Sequence, residues 1–142
     1  MNDLYFYKTA SKTWVDGKKL SILKRLFWKS FSKGKYVGEI KDGLPHGQGK
    51  LYYVHGGRYF GSWNDGKRHG IGTYKYSDGR VSFGMYYKGK KNGKMTIKCP
   101  NGDTYEGIFK EGQPLGKFNF TDSLGMKSEV FLTRAENPLK SS

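Results

Sequence analysis

Short stretches of the chain alternate apolar or glycine residues with polar residues, which is the period-two pattern of β-strands that bury one face. Tyr59, Gly61 and Trp63 share one face of such a stretch, and the next stretch places Gly72 and Tyr74 on one face in the same way. The intervening segments, such as DGKRHG and SDGR, are rich in Gly, Asp and basic residues and are typical of turns. The pattern therefore predicts β-hairpins that follow one another in an antiparallel meander.

These hairpins recur with a period of 23 residues. Four glycine series keep this period: Gly38, Gly61, Gly84 and Gly107; Gly43, Gly66, Gly89 and Gly112; Gly47, Gly70, Gly93 and Gly116; and Gly56, Gly79, Gly102 and Gly125. Large apolar residues keep it too: Ile40, Trp63, Tyr86 and Phe109, then Leu51, Tyr74, Ile97 and Phe120. Because a lone hairpin is marginally stable in water, neighbouring units must pack together to bury their aromatic rings. The period predicts a repeat array over residues 36–125.

Composition excludes several other classes of protein. Aromatic residues make up 16% of the 142 residues, which is too many for a disordered chain. The 21 glycines favour short strands with tight turns over a helical bundle. The single cysteine, Cys99, excludes an intramolecular disulfide framework and indicates a reducing, intracellular compartment. No run reaches the roughly 18 apolar residues that a membrane-spanning helix needs.

The two ends of the array need caps, because terminal repeats expose their packing face. Residues 1–35 are the predicted N-terminal cap, either a shortened repeat or a basic amphipathic helix over residues 18–33. The apolar residues of that helix would be Leu20, Leu23, Phe27 and Phe31. At the other end, residues 126–142 are predicted to form a short helix that begins at Ser128 and ends before Pro138, followed by a loose tail.

Positive charge favours anionic partners. The net charge is +14, and the first 35 residues hold nine basic and two acidic side chains. Phospholipid headgroups and acidic protein segments fit such a chain. Nucleic acid is disfavoured, because the basic charge is concentrated in the N-terminal segment and not along the aromatic face. The candidate contacts with an anionic surface are Lys18, Lys19, Lys24, Arg25, Lys29, Lys67, Arg68, Lys88, Lys90 and Lys91.

No constellation of residues indicates catalysis, a cofactor or a metal site. His46 and His69 lie one period apart and have no carboxylate or cysteine at ligand spacing. Residues 61–67 fit the glycine–lysine spacing of a phosphate-binding loop, but Arg68 follows where that loop needs serine or threonine. The sequence therefore predicts a protein that is not an enzyme.

The spacing of glycine and aromatic residues resembles a known repeat family. The pattern Y-x-G-x-x-x-x-G-x-x-x-G-x-G occurs as YVGEIKDGLPHGQG at residues 36–49 and YFGSWNDGKRHGIG at residues 59–72, and it is similar to the MORN repeat (membrane occupation and recognition nexus). The third unit departs from the pattern at Ser82 and Met95 and the fourth at Leu115 and Phe118, which indicates degenerate outer repeats. The resemblance implies an all-β, elongated single-layer array of hairpins with a binding or scaffolding role.

We therefore expect a non-enzymatic scaffold or adaptor that holds a peptide or helix of a partner protein in an aromatic groove. The expected groove residues are Tyr59, Trp63, Tyr74, Tyr86 and Phe109. The alternative function is peripheral binding to anionic phospholipids through the N-terminal basic segment and the turn lysines. Similar proteins act as adaptors at membranes and the cytoskeleton, and some form homodimers. The resemblance thus implies a cytoplasmic protein with one of these attachments.

Overall fold

The computed structural model describes residues 7–8, 27–31 and 34–134, with side chains from residue 34 onward. Eleven strands lie in these residues, and nine of them fall in the continuous range 34–134. The strands are Tyr7–Lys8 (β1), Phe27–Phe31 (β2), Gly34–Lys41 (β3), Leu44–Tyr53 (β4), Arg58–Asn64 (β5), Lys67–Lys75 (β6), Val81–Tyr87 (β7), Lys90–Lys98 (β8), Thr104–Lys110 (β9), Gln113–Thr121 (β10) and Lys127–Leu132 (β11).

All eleven strands form one sheet in which the spatial order is the chain order. Every neighbouring pair from β1 to β11 is antiparallel. The described residues contain no helix. The predicted meander of hairpins is therefore confirmed, and each 23-residue unit contributes one hairpin to an open sheet.

Two kinds of turn alternate along the chain. Tight two-residue turns lie at Asp42–Gly43, Asp65–Gly66, Lys88–Gly89 and Glu111–Gly112, and both residues of each have positive φ, as a type I′ turn requires. On the opposite edge, loops such as 77–79 are closed by the Tyr76 amide, which donates to the Arg80 carbonyl at 2.9 Å. The turn predicted over DGKRHG is thus confined to its first two residues, and the other four belong to β6.

One face of the sheet, the ring face, carries the core. Its buried apolar residues are Tyr36, Leu51, Tyr59, Trp63, Tyr74, Tyr86, Met95, Ile97, Phe109, Phe118 and Leu132. The period of 23 residues returns the same face of each hairpin to the core, so the rings meet their counterparts in the neighbouring units. Tyr59 lies edge-on to Trp63 and to Tyr86, with ring centroids 5.1 Å apart in both pairs. Such edge-to-face pairs hold a single sheet together without a second layer.

A row of glycines crosses the sheet beneath the rings. Gly49 pairs with Gly61, and Gly61 pairs with Gly72 on the next strand. A Cβ on Gly72 would overlap the ring of Tyr59, and a Cβ on Gly49 would overlap another buried ring in the same way. Glycine is needed here because the ring lies directly on the backbone of the neighbouring strand.

The predicted C-terminal helix is wrong over its described part. Residues 127–132 form β11, which pairs with β10 from Gly116 opposite Leu132 to Thr121 opposite Lys127. The open edge of β10 offers a row of backbone donors and acceptors that a helix would leave unpaired. Val130 and Leu132 also fit a strand, since both turn towards the core and Leu132 is buried.

Of the two alternatives for the N-terminal cap, the helix is wrong over residues 27–31, because these residues form β2 and pair with β3. Phe27 and Phe31 stand at both helical and strand spacing, so the sequence alone could not separate the two structures. Pairing of residues 27–31 with β3 satisfies the backbone hydrogen-bonding groups at the edge of β3. This pairing favours a strand over a helix for residues 27–31. The rest of the predicted cap, residues 1–6, 9–26 and 32–33, lies outside the described residues, as does the tail after residue 134.

Candidate functional site

The five rings expected to line a groove form the centre of the core. Tyr59, Trp63, Tyr74, Tyr86 and Phe109 are each no more than 8% exposed. The indole Nε1 of Trp63 donates to the Gly49 carbonyl at 3.2 Å, so even its polar atom is used inside the sheet. The rings therefore make the floor of the ring face, and a partner would reach only their edges.

Above this floor the ring face opens into a cleft of about 370 Å³, which we call the cation cleft. Its lining residues are Tyr53, Arg68, Tyr74, Tyr76, Tyr86, Gly89, Lys90, Lys91 and Gly112. The structure thus brings two of the predicted groove residues together with three of the basic residues predicted to contact an anionic surface. The combination of phenol rings and cations in one concavity makes it the candidate site.

The repeat places the two central cations of the cleft. Arg68 and Lys91 are one period apart, each two residues after a type I′ turn, and they pair across the strands with Trp63 and Tyr86. Residues that pair directly across two strands share a face, so the side chains of Arg68 and Lys91 lie on the ring face with Trp63 and Tyr86. The first and fourth units carry buried prolines, Pro45 and Pro114, at the same position.

Arg68 is held among three rings. The carbon of its guanidinium lies 5.2 Å from the ring centroid of Tyr86 and 5.7 Å from those of Tyr59 and Tyr74. Its Nη2 donates to the carbonyl of Gly89 at 2.5 Å. Aromatic faces attract a guanidinium and do not neutralise it, so Arg68 brings a fixed positive charge to the cleft.

Lys91 is held in a similar way one unit further along. Its Nζ donates to the hydroxyl of Tyr76 at 2.5 Å, and it lies 5.0 Å from the ring centroid of Phe109 and 5.2 Å from that of Tyr76. Both cations are half-buried, and neither forms an ion pair with a carboxylate of the described residues. Lys90, at the rim, does form one, with Glu111 at 2.9 Å.

Three tyrosines of the cleft, Tyr53, Tyr74 and Tyr86, keep their hydroxyl protons at neutral pH. Burial raises the pKa of Tyr74 to about 12 and that of Tyr86 to about 12. Burial also raises the pKa of Tyr53. Neutral phenols can donate hydrogen bonds to an anion, so the described lining offers two half-buried cations, Lys90 at the rim and several O–H donors, with no acidic side chain among its residues.

The other predicted anionic-surface residues lie elsewhere. Lys67 directly follows one type I′ turn and Lys88 lies in another, and both are exposed at one long edge of the sheet. Lys18, Lys19, Lys24 and Arg25 lie outside the described residues, and only the backbone of Lys29 is described. Sequence reasoning missed Tyr53 and Tyr76, although they are one period apart and each lies two residues after a predicted core position, which was the available signal.

Neither metal binding nor membrane spanning finds support in the described part of the chain. Within residues 34–134 and the two short N-terminal strands, no three His, Cys, Asp or Glu side chains cluster as metal ligands. His46 Nδ1 lies 3.7 Å from Asp65 Oδ1 without a third partner of that kind. The same residues include no helix with the length and apolar character needed to cross a bilayer.

The fold and the cleft define a repeat protein made of consecutive β-hairpins with a shared aromatic face. The MORN repeat model matches four tandem segments, residues 36–58, 59–79, 83–104 and 105–117, which together cover more than half of the chain. The chain therefore belongs to the MORN-repeat family, and the predicted four-unit array is confirmed. No curated protein matches the chain significantly. The family is consistent with a role in protein interaction or membrane association.

Proposed function

We propose that this protein is a non-enzymatic interaction scaffold that binds a peptide or helix of a partner protein along the ring face. The observation that carries the proposal is the cation cleft, where the aromatic face opens into a concavity of about 370 Å³. Aromatic rings and arginine are the side chains that contribute most binding energy at protein interfaces. The described lining of the cleft combines basic side chains and phenols without a carboxylate or a histidine, which suits binding better than acid–base catalysis.

The rigidity of the array supports the proposal. Adjacent units are joined at the turn edge by hydrogen bonds from the amides of Gly66, Gly89 and Gly112 to carbonyls of the preceding unit, at 2.8–2.9 Å. Together with the ladder of strand pairs, these bonds fix the cleft before a partner arrives. A preorganised surface loses little conformational entropy on binding, so more of the contact energy appears as affinity.

Selection from a phage library of random short peptides tests this function without a known partner. We expect the immobilised full-length chain to enrich a family of related peptides that bind the soluble protein in fluorescence polarisation. Substitution of the half-buried rim residue Tyr76 by alanine should weaken that binding, whereas Tyr87→Ala, on the opposite face, should not. Failure to enrich any peptide family, or equal losses in the two variants, would contradict the scaffold function.

A second candidate function is binding to anionic phospholipids at the turn edge. The observation that favours it is the exposure of Lys67, Lys88 and Lys90 along that edge, since a basic side chain near an anionic bilayer is worth about 1 kcal/mol. Co-sedimentation with vesicles rich in phosphatidylserine should then fall for Lys67→Gln/Lys88→Gln. The matched control, Lys75→Gln/Lys98→Gln, removes the same charge away from the edge. Equal recovery with neutral vesicles would remove this candidate.

A further inference from the structure

The two cations of the cleft are not required by the fold. Pro45 and Pro114 occupy the equivalent position in the first and fourth units, and both are buried there without any charge. The two inner units carry Arg68 and Lys91 at this position. The prolines of the outer units show that an uncharged residue can fill the position without loss of the hairpin. Burying a cation, even partly, costs solvation free energy. Packing of the sheet therefore does not explain why these two positions are basic.

The described residues around these cations do not supply their counter-charge. The ion pairs found among the described residues, which include Lys90–Glu111 at the rim and Arg80–Asp78 at the opposite edge, involve neither of the two cations. Arg68 and Lys91 are bound instead by a carbonyl, a phenol hydroxyl and aromatic faces, which orient the cations and leave their charge uncompensated. Two like charges that line one cleft repel each other, and an anion placed between them would relieve that repulsion.

We propose that the cation cleft binds a carboxylate side chain, aspartate or glutamate, of an acidic partner peptide. The proposal rests on the scaffold function and names the chemistry of its partner. The guanidinium of Arg68 and the ammonium of Lys91 hold the carboxylate, and the hydroxyls of Tyr53 and Tyr76 lie beside it as further donors. Apolar residues on either side of the acidic residue then contact the exposed edges of the rings.

The position of the cleft favours a peptide over a lipid headgroup. The cleft lies on the ring face, and its walls are tyrosine rings and backbone glycines, so a side chain on an extended backbone can enter it. A bilayer surface would first meet the exposed lysines at the turn edge, such as Lys67 and Lys88. The net charge of +14 also attracts an acidic segment from solution and speeds its encounter with the cleft.

The test compares two charge-removing double variants of the full chain. Arg68→Gln/Lys91→Gln removes the cleft cations from β6 and β8. Lys75→Gln/Lys98→Gln removes two exposed lysines from the same strands, on the face opposite Tyr74 and Ile97. Both variants are checked for the wild-type thermal transition and circular dichroism spectrum, so that a loss of binding is not a loss of fold.

Peptides are selected on each protein from the same random phage library, and one selected peptide is synthesised with its acidic residue and with glutamine in its place. We expect the wild type and the Lys75/Lys98 variant to enrich aspartate or glutamate at one fixed position. The glutamine peptide should bind the wild type about tenfold more weakly or worse, which is the size of one lost charge-assisted hydrogen bond. The Arg68/Lys91 variant should still yield peptides, but without the acidic preference.

The possible failures are distinguishable. Enriched peptides without an acidic position, or an acidic preference that survives Arg68→Gln/Lys91→Gln, would overturn the carboxylate site and leave the scaffold function standing. An equal loss of peptide affinity in both double variants would show that only the net charge of the protein matters, and it would overturn the carboxylate site. A phosphoserine peptide that binds far more tightly than the glutamate peptide would assign the cleft to phosphate and contradict the proposal. Displacement of the glutamate peptide by phosphatidylglycerol vesicles, whose headgroup has a phosphate and no carboxylate, would contradict it in the same way. No enrichment on any of the proteins would contradict the scaffold function itself.

Discussion

At the scale of single residues, the irregular positions of the repeat compensate for one another. In the second unit the ring of Tyr59 covers Gly72. In the third unit, Ser82 stands at the position of Tyr59 and has no ring. Met95 stands at the position of Gly72, is fully buried, and places its Sδ over Gly84. The same space on the sheet is filled from the other strand, so these departures are an alternative packing and not a decay of the repeat.

This compensation predicts a strong coupling between positions 82 and 95. Met95→Gly should lower the free energy of unfolding by about 3 kcal/mol, because it empties a buried site. Ser82→Tyr alone should also destabilise, by roughly 1–3 kcal/mol, because its ring would enter the space of Met95. The double variant recreates the packing of the second unit and should recover most of the loss. Urea denaturation of the four proteins measures the coupling, and simple additivity of the two losses would contradict it.

Residue-scale prediction from the sequence was uneven. The period identified which residues form the core, including all five expected groove rings, because burial depends on the face of a strand and alternation reveals the face. It did not distinguish a ring that packs from a ring that binds, since both face the same side of the sheet. Arg68 and Lys91 were recognised as basic candidates, but their cation–π contacts involve rings on neighbouring strands and units, which the alternation along one strand does not show.

At the scale of elements, the sheet extends one strand beyond the repeats at their C-terminal end. The sequence predicted a helix there because Ser128 resembles an N-cap and Pro138 a stop signal, and these are local signals. Strand pairing depends on the partner edge, which is a non-local property that local propensity does not contain. The four hairpin turns, by contrast, were predictable, because glycine at the second position of a type I′ turn is a local requirement that the sequence meets each time.

The strand assignment makes opposite predictions for two adjacent residues. Leu132 is 5% exposed on the ring face, whereas Phe131 is 68% exposed on the other face. Leu132→Ala should therefore lower the free energy of unfolding by about 2 kcal/mol or more, and Phe131→Ala should change it by less than about 0.5 kcal/mol, although it removes the larger side chain. Thermal or urea unfolding of the two variants provides the comparison. A larger loss from Phe131→Ala would be incompatible with β11 as described.

At the scale of the whole molecule, the buried tyrosines link stability to pH. Burial raises the pKa of Tyr74 and of Tyr86 from 10.0 to about 12, and it raises the pKa of Tyr36 and Tyr59 as well. The folded protein therefore keeps these protons above pH 10, where the unfolded chain has lost them. Their contribution to stability is complete below pH 10 and is lost as the pH rises through 12.

We therefore expect the urea midpoint to fall steadily as the pH rises above 10, with tyrosinate absorbance appearing together with unfolding. Tyr86→Phe removes one titrating group together with its 3.2 Å contact to the Ser82 hydroxyl. The variant should be somewhat less stable at neutral pH and should show a shallower fall between pH 10 and 12. A midpoint independent of pH over this range would contradict the burial of the phenols.

The most direct test of the binding face uses the tyrosines themselves as reporters. Tyr53 and Tyr76 line the cation cleft, whereas Tyr52 and Tyr87 are exposed on the opposite face. The full chain with isotope-labelled tyrosine rings is titrated with a peptide selected from the phage library, and the ring signals are followed by NMR. We expect the signals of Tyr53 and Tyr76 to shift in proportion to binding while those of Tyr52 and Tyr87 stay in place. Shifts confined to Tyr52 and Tyr87 would place the partner on the wrong face and contradict the proposed scaffold site.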